Sequence, residues 1–378
     1  GEMADQDRIR FATTNMSVSD LSFGHGDAGA STTMMRDTGF YDLGFRIESV
    51  DRKSDSGDPE DETYNGVDNA LSADKPGNDW VDQNYDAEEA QNWYLVRDKT
   101  QDETSQGGQA VIATARAAYW NAVEIDRLNK RLGDARHADG GVRVRNDRIG
   151  TDAGVGDFRS RNYAYQFGYD HTKKEDDGKR LFGAALDYMD GNTTYRNVEG
   201  TGATDRFGVT AYMTWLGNDG WYYDLVGKWG VLSNSFRVTS DSGVYVDGDY
   251  DNHVLGASFE FGRKLTKENS LWFLEPQAQI QHVMVTEASY STNQGTRVDQ
   301  EKINSTITRL GFRVGRSFGE KQSGIFYAKA DWLKEWHGHQ GIKVTDVTTG
   351  DVAADASIDN KGDWFDVGFG VQSPITDT

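Results

Sequence analysis

The chain has 378 residues, a formal net charge of −21 and no cysteine, with 43 glycines, 4 prolines, 17 tyrosines, 17 phenylalanines and 10 tryptophans. The charge argues against nucleic acid as a partner, because phosphate binding needs clustered Lys and Arg, and the missing cysteines exclude disulfide scaffolds and thiolate metal sites. A mean hydropathy of −0.72 with no long apolar run excludes a transmembrane helix, but not a membrane-spanning barrel, whose strands need only about ten residues with every second one apolar.

Residues 1–100 read as a separate β-rich segment, with strands expected at 9–11, 17–23, 40–50 and 93–96. Between the last two lies the acidic stretch 51–89, and about half of the net charge falls between Asp51 and Glu103. It reads as a solvated loop or hairpin excursion. The sharper alternative, a calcium site, lacks the Asp-x-Asp-x-Asp-Gly ladder with Glu at the twelfth place. No signal peptide is visible at the Gly1 end, so any export signal is expected upstream.

From residue 105 the pattern turns helical. Over 109–136, Val111, Ala115, Ala118, Ala122, Ile125, Leu128 and Leu132 recur every three or four residues, and the helix is expected to end at or just after Gly133. Asp126 and Lys130, one turn apart, would form a supporting acid-then-base pair. Arg116, Asn121, Glu124, Asp126, Arg127, Asn129, Lys130 and Arg131 make the helix polar over much of its surface, which fits a wet pore better than a dry core.

After Gly140 the period becomes two. Ten strands are expected, at 141–150, 161–171, 180–192, 203–216, 220–234, 252–264, 270–286, 303–318, 324–336 and 361–372. In the second, Tyr163, Tyr165, Phe167 and Tyr169 share one face and Asn162, Ala164, Gln166, Gly168 and Asp170 the other. Aromatics outward and Gly, Gln and Asp inward describe a barrel in lipid around a polar lumen. The connections 173–178, 217–219, 265–269 and 319–323 are short, whereas 193–202, 235–251, 287–302 and 337–360 are long and polar. That asymmetry puts the short set in the periplasm.

The same register assigns both faces. Lipid receives Tyr163, Tyr165, Trp215, Trp221, Trp229, Trp272 and Trp332, with Phe182, Leu225, Phe259, Leu310 and Phe369 among others. Inward fall Gln166, Asp187, Arg206, Thr210, Asp224, Lys228, Glu260, Gln277, Gln279, Arg309, Arg313, Lys329, Asp331 and Asp366. A charge facing lipid at mid-depth costs about 2–4 kcal/mol, so the register holding these charges inside is strongly preferred.

A polar helix, a Gly-led strand and repeated barrel hairpins together resemble the translocator domain of classical monomeric (type Va) autotransporters. The resemblance is carried by Leu128-Asn129-Lys130-Arg131-Leu132-Gly133-Asp134-Ala135-Arg136, by Tyr165-Gln166-Phe167-Gly168-Tyr169-Asp170, by Leu274-Glu275-Pro276-Gln277 and by Val367-Gly368-Phe369-Gly370-Val371, in this order over residues 105–373. It implies an all-β fold: a twelve-stranded outer-membrane antiparallel barrel with the helix threading its pore. The divisions it implies are 1–104, the C-terminal end of a passenger β-helix that helps the passenger fold; 105–137, linker and pore helix; and 138–378, the barrel. It further implies a monomer in outer-membrane lipid, assembled with periplasmic chaperones and the barrel-assembly machinery, without cofactors, that displays its passenger at the cell surface.

Two departures stand out. Val142 occupies a place where the family usually has Trp. The tenth strand ends near Gln372, so a final hairpin is expected to be missing and the first and tenth strands to remain unpaired with each other; an open edge in lipid leaves backbone groups unsatisfied. Some relatives cleave between two adjacent Asn in the pore helix. Those places hold Asp126 and Arg127 here, and a carboxylate is the poorer nucleophile for that cyclisation, so the passenger is expected to stay attached.

No enzyme motif emerges. Gly154-Val155-Gly156-Asp157-Phe158-Arg159 lacks the third glycine of a dinucleotide fingerprint, His337-Gly338-His339 reads as loop rather than metal site, and Asp187, Asp224, Glu260 and Asp366 read as pore-lining partners of Arg and Lys. Two other functions compete: a porin-like channel with an N-terminal plug, which would conduct when intact, and a soluble β-rich adhesin fragment, which would need no detergent.

Overall fold

The computed structural model describes residues 9–14, 33–37, 41–50, 90–97, 103–132, 136, 140–153, 158–319, 324–347 and 352–372. Contacts divide the chain into two compact units, Gly1–Ser105 and Gln106–Thr378.

In the first unit, β1 (Ile9–Thr14), β2 (Thr33–Asp37), β3 (Tyr41–Val50), β4 (Ala90–Arg97) and β5 (Glu103–Thr104) form one sheet of order β1-β4-β3-β2. β5 pairs with β3, and every pairing is antiparallel. The run Trp93-Tyr94-Leu95-Val96 in β4 is central, with Leu95 opposite both Ile9 and Ile47. β2 had no counterpart among the expected strands. The strand expected at 17–23, the acidic stretch 51–89 and the 154–157 part of the Gly-rich motif lie outside the described residues.

The second unit opens with two helices, α1 (Gln106–Ala122) and α2 (Leu128–Leu132). Ten strands follow in an antiparallel meander: β6 (Gly140–Ala153), β7 (Phe158–Glu175), β8 (Gly178–Tyr195), β9 (Glu199–Gly217), β10 (Trp221–Thr239), β11 (Tyr245–Arg263), β13 (Trp272–Val285), β16 (Ile303–Phe318), β17 (Gly324–Glu335) and β20 (Gly362–Gln372). The short β12 (Leu265–Thr266) extends the ladder on β13. The sheet curls around α1, which touches β7, β8, β9, β10, β11 and β13. β6 and β20 each have one neighbour and do not pair with each other among the described residues.

All ten expected segments coincide with these strands, but several run longer. β9, β10 and β11 have 19 residues each, about 60 Å at 3.3 Å per residue, twice the hydrocarbon thickness. The supposed loop 235–251 is mostly ladder, with Ser235 opposite Asp249 and Arg237 opposite Asp247. Only a turn around Gly243, at φ 83°, remains. The inner positions of this extension stay buried at Phe236, Val238 and Val246, while the outer positions carry Ser235, Arg237, Asp247 and Asp249, so pairing continues where the outer apolar stripe that marks the earlier strands in sequence has ended. The long connections 287–302 and 337–360 are likewise folded. β14 (Ala288–Ser291), β15 (Thr296–Gln300), β18 (His339–Asp346) and β19 (Val352–Asp359) build a separate four-stranded sheet in that order.

Alternation sets the two faces. Along β7, Ser160, Asn162, Ala164, Gln166, Gly168 and Asp170 are buried while Arg161, Tyr163, Tyr165, Phe167 and Tyr169 are exposed. Some inner-face glycines make room for rings: a Cβ on Gly183 would stand 2.2 Å from Tyr212, and one on Gly370 2.4 Å from Tyr327.

The helical region differs most from expectation. Residues 109–136 are not one helix, because α1 stops at Ala122 and α2 starts at Leu128. α1 is rich in Ala and Gly and buried on almost every side, not a polar rod in water. Its last turn joins an apolar cluster of Tyr119, Ala122, Val123, Leu232, Val254, Val283 and Ile307. α2 packs Leu128 and Leu132 against Leu181, Tyr212, Leu216 and Val226.

Candidate functional site

The helical segment runs along the whole concave face, from the end with long connections to the end with tight turns. At the first end, the Gln106 side-chain amide donates to the Asn197 carbonyl at 2.6 Å and accepts from the Asp241 backbone N–H at 2.6 Å. At the other, Arg136 donates to the Gly220 carbonyl at 2.8 Å and pairs with Glu275 at 3.2 Å. Gly220 belongs to the β9–β10 turn.

Halfway along, the Tyr119 hydroxyl donates to the buried Glu335 carboxylate at 2.7 Å. Glu335 also accepts from the Ser305 hydroxyl and from the backbone N–H groups of Thr306 at 2.8 Å and His337 at 2.9 Å. One carboxylate thereby ties α1, β16 and the turn into β18 together. Tyr195 and Thr114 share a hydroxyl bond of 2.6 Å, and Arg116 lies over the Phe158 ring at 6.0 Å.

Between the helices, strand side chains take over the backbone. Arg206 donates to the Asn121 carbonyl at 2.7 Å, and Lys228 to those of Ala122 and Glu124 at 3.2 and 3.1 Å. Gln281 and Gln279 donate to Val123 and Asp126, each at 2.9 Å. The Leu128 N–H donates to Glu260 at 3.1 Å, so a strand carboxylate caps α2. These donors compete for the carbonyls that a continuous helix would use, which accounts for the break.

Below the break the side chains are ionic. Arg127 bridges Asp331 at 2.8 Å and Asp366 at 2.5 Å, and Lys329 joins Asp366 at 2.8 Å. Arg309 meets Asp331 at 2.7 Å and Glu260 at 3.2 Å, while Arg313 meets Glu275 at 3.1 Å. Arg131 donates twice to Asp224, both at 2.7 Å, with its guanidinium 4.2 Å from the Tyr212 ring centre. The expected Asp126–Lys130 pair is not formed. Asp126 lies outside the helix beside Arg131 at 3.4 Å and Arg145 at 3.5 Å, and Lys130 pairs with Glu124, which also meets Arg206 at 3.1 Å. Asp187 accepts from Gln166 at 2.6 Å and Thr210 at 2.7 Å, and Asn121 from Asn162 at 2.6 Å. Asn129 borders a cavity of about 800 Å³ between the helical segment, Ile149 of β6 and Trp364 of β20.

The convex face is apolar. Tyr163, Tyr165, Trp221, Trp229 and Trp272 are exposed on it. Trp215 and Trp332 are half-buried, the former stacked on Tyr223 at 5.4 Å and the latter donating to Asp363 at 3.3 Å. Sequence reading had not singled out Tyr119, Tyr195, Gln281 or Glu335. Gln281 and Glu335 share the inward parity of Gln279 and Asp331, so extending the alternation to the strand ends would have found them; nothing in sequence marks Tyr119.

Residues 141–378 match the family described as "Autotransporter beta-domain". The pertactin autotransporter of Bordetella bronchiseptica is 31% identical over 250 residues, spanning 64% of this chain and 26% of pertactin. The BrkA autotransporter of Bordetella pertussis is 27% identical over 259 residues, spanning 64% of this chain and 25% of BrkA. The chain thus spans about a quarter of the length of these relatives. In fold it is similar to the solved transport unit of AIDA-I from Escherichia coli, with a TM-score of 0.54 at 18% identity, covering 71% of this chain and 88% of that structure. The chain belongs to the autotransporter family and carries its β-domain, the outer-membrane translocator through which a passenger is exported.

Proposed function

We infer that residues 1–104 are the C-terminal end of the passenger, that 105–137 are linker and pore helix, and that 138–378 are the barrel that delivers the passenger to the cell surface. The observation that carries this is the course of 106–136, anchored by Gln106 at the long-connection end and by Arg136 at the tight-turn end. A chain held that way leaves the barrel on the long-connection side, which in outer-membrane barrels faces outward. Chaperones and the barrel-assembly machinery would serve a monomer whose apolar outer face must stay unaggregated until it reaches lipid.

The helical segment also acts as a stopper. Planar-bilayer recording tests this: the intact protein should conduct weakly and a variant lacking residues 106–132 strongly, whereas high conductance of the intact protein would favour a channel. The passenger stays attached, because the Asp126 carboxylate is held between two guanidinium groups. Mass spectrometry of barrel-embedded protein should find no break after Asp126, and a break there would refute the attachment.

A further inference from the structure

The apolar stripe on the convex face of β16 is interrupted by one charge. Leu310, Phe312, Val314 and Phe318 are exposed there, and Arg316, also exposed, stands between the last two. It shares a cross-strand rung with Trp272 of β13 and Phe326 of β17. The Trp272 and Phe326 ring centres lie 6.0 Å apart, and Phe318, nearer the tight turn, lies 6.4 Å from Phe326.

Two other outward arginines near the tight turns have partners within the protein. Arg180 bridges Glu175 at 3.0 Å, and Arg263 donates to the Asp219 carbonyl at 3.4 Å and lies 5.3 Å from the Trp221 ring centre. Arg316 makes no hydrogen bond, ion pair or ring contact among the described residues. The carboxylates of the flanking strands β13 and β17, Glu275, Asp331 and Glu335, are buried on the inner face. A guanidinium cannot shed its charge, and it is costly against hydrocarbon. Two places before the end of β16, however, it sits at the level of the interfacial aromatic rings, where lipid phosphates lie. Its planar fork of donors matches a phosphate in two-bonded fashion.

The surface beside it suits the rest of such a lipid. Pro276 and Ala278 of β13 lie across from Phe312 and Leu310, and Ala328 and Ala330 of β17 across from Val314 and Phe312. Small side chains thus leave a shallow furrow on each side of the β16 ridge, leading from the rung of Arg316 towards mid-membrane.

We propose that Arg316, walled by Trp272 and Phe326, is the headgroup site for one anionic glycerophospholipid of the leaflet at the tight-turn end, with an acyl chain in each furrow. An anionic lipid is selected over a zwitterionic one, whose own ammonium competes for its phosphate. This rests on the reading that the convex face meets lipid, and not on which end of the barrel faces the periplasm.

The test titrates the full chain, folded in mild detergent, with phosphatidylglycerol or phosphatidylethanolamine and counts bound lipids by native mass spectrometry. The parent should hold one phosphatidylglycerol. Arg316→Gln should bind it about tenfold less tightly, as loss of a charge-assisted bond predicts, and Arg263→Gln should bind it like the parent. Equal binding by the parent and Arg316→Gln, or equal affinity of the parent for both lipids, would mean that Arg316 merely reaches for water and overturns the proposal. A phosphatidylglycerol with a photoreactive acyl chain, applied to the parent in vesicles, gives a second reading and decides alone if Arg316→Gln does not fold. Label concentrated on β13, β16 and β17 supports the site, and label spread evenly over the convex face overturns it. A convex face that takes no label would instead overturn the reading that it meets lipid, and the proposal with it.

Discussion

Asp224→Asn should release the grip of the barrel on α2. Each side chain of the Arg131–Asp224 pair is 1% exposed. Two bonds of 2.7 Å join them, Thr214 adds a third polar contact to Asp224 at 2.5 Å, and Tyr212 covers the guanidinium at 4.2 Å. Removing one charge of such a pair costs about 3–5 kcal/mol, because the other is left buried and uncompensated. Asp126 remains 3.4 Å from Arg131 and offsets part of the loss, so the lower end, about 3 kcal/mol, applies. That is roughly a hundredfold weaker docking at 1.4 kcal/mol per decade. Guanidinium titration in detergent, followed by tryptophan fluorescence, should show an earlier transition, and bilayer recording should show more frequent openings. Replacing both partners tests the cause: Arg131→Met/Asp224→Asn leaves no stranded cation and should recover to within about 1 kcal/mol of the parent. If the single variant unfolds with the parent, or the double variant is no better than the single, the buried pair does not hold α2 and the reasoning fails.

Three further outcomes follow from other contacts. Tyr119→Phe removes one of four donors to Glu335 and should cost about 1.5–3 kcal/mol, the range for a bond to a charged group; an unchanged unfolding midpoint would show that the bond contributes nothing. Gly183→Val places a Cβ 2.2 Å from the Tyr212 ring and 2.4 Å from Asp170, and overpacking of this kind costs about 1–3 kcal/mol or more. Heat-modifiable mobility on gels should be lost, and partly regained when Tyr212→Ala makes room. Leu225→Arg puts a cation on the exposed convex face at a cost of about 2–4 kcal/mol near mid-depth, seen as less assembled barrel in membranes; equal assembly would mean that this face does not meet lipid.

What the sequence disclosed and what it withheld divide along a physical line. Strand positions and facing were legible because lipid on one side and a packed polar interior on the other force a period of two, as in Tyr163 to Tyr169 against Asn162 to Asp170. Past Ser235 the outward positions Arg237, Asp247 and Asp249 are polar, so the outer apolar stripe ends although Phe236, Val238 and Val246 stay buried on the inner face, and the sheet of β14, β15, β18 and β19 lies in connections that read as long polar loops. The break between α1 and α2 was illegible for a different reason. Residues 123–127 are Val-Glu-Ile-Asp-Arg, with no glycine or proline, and they continue the apolar spacing from Ala122 to Leu128 without interruption. What unwinds them comes from Arg206, Lys228, Gln279 and Gln281, between about eighty and one hundred and sixty residues later in the chain. Each of those residues could be assigned to the inner face, but a side chain on the inner face does not announce which carbonyl it will reach. The helix therefore gets its shape from the barrel. The donors that hold it in this broken course are carried by β9, β10 and β13.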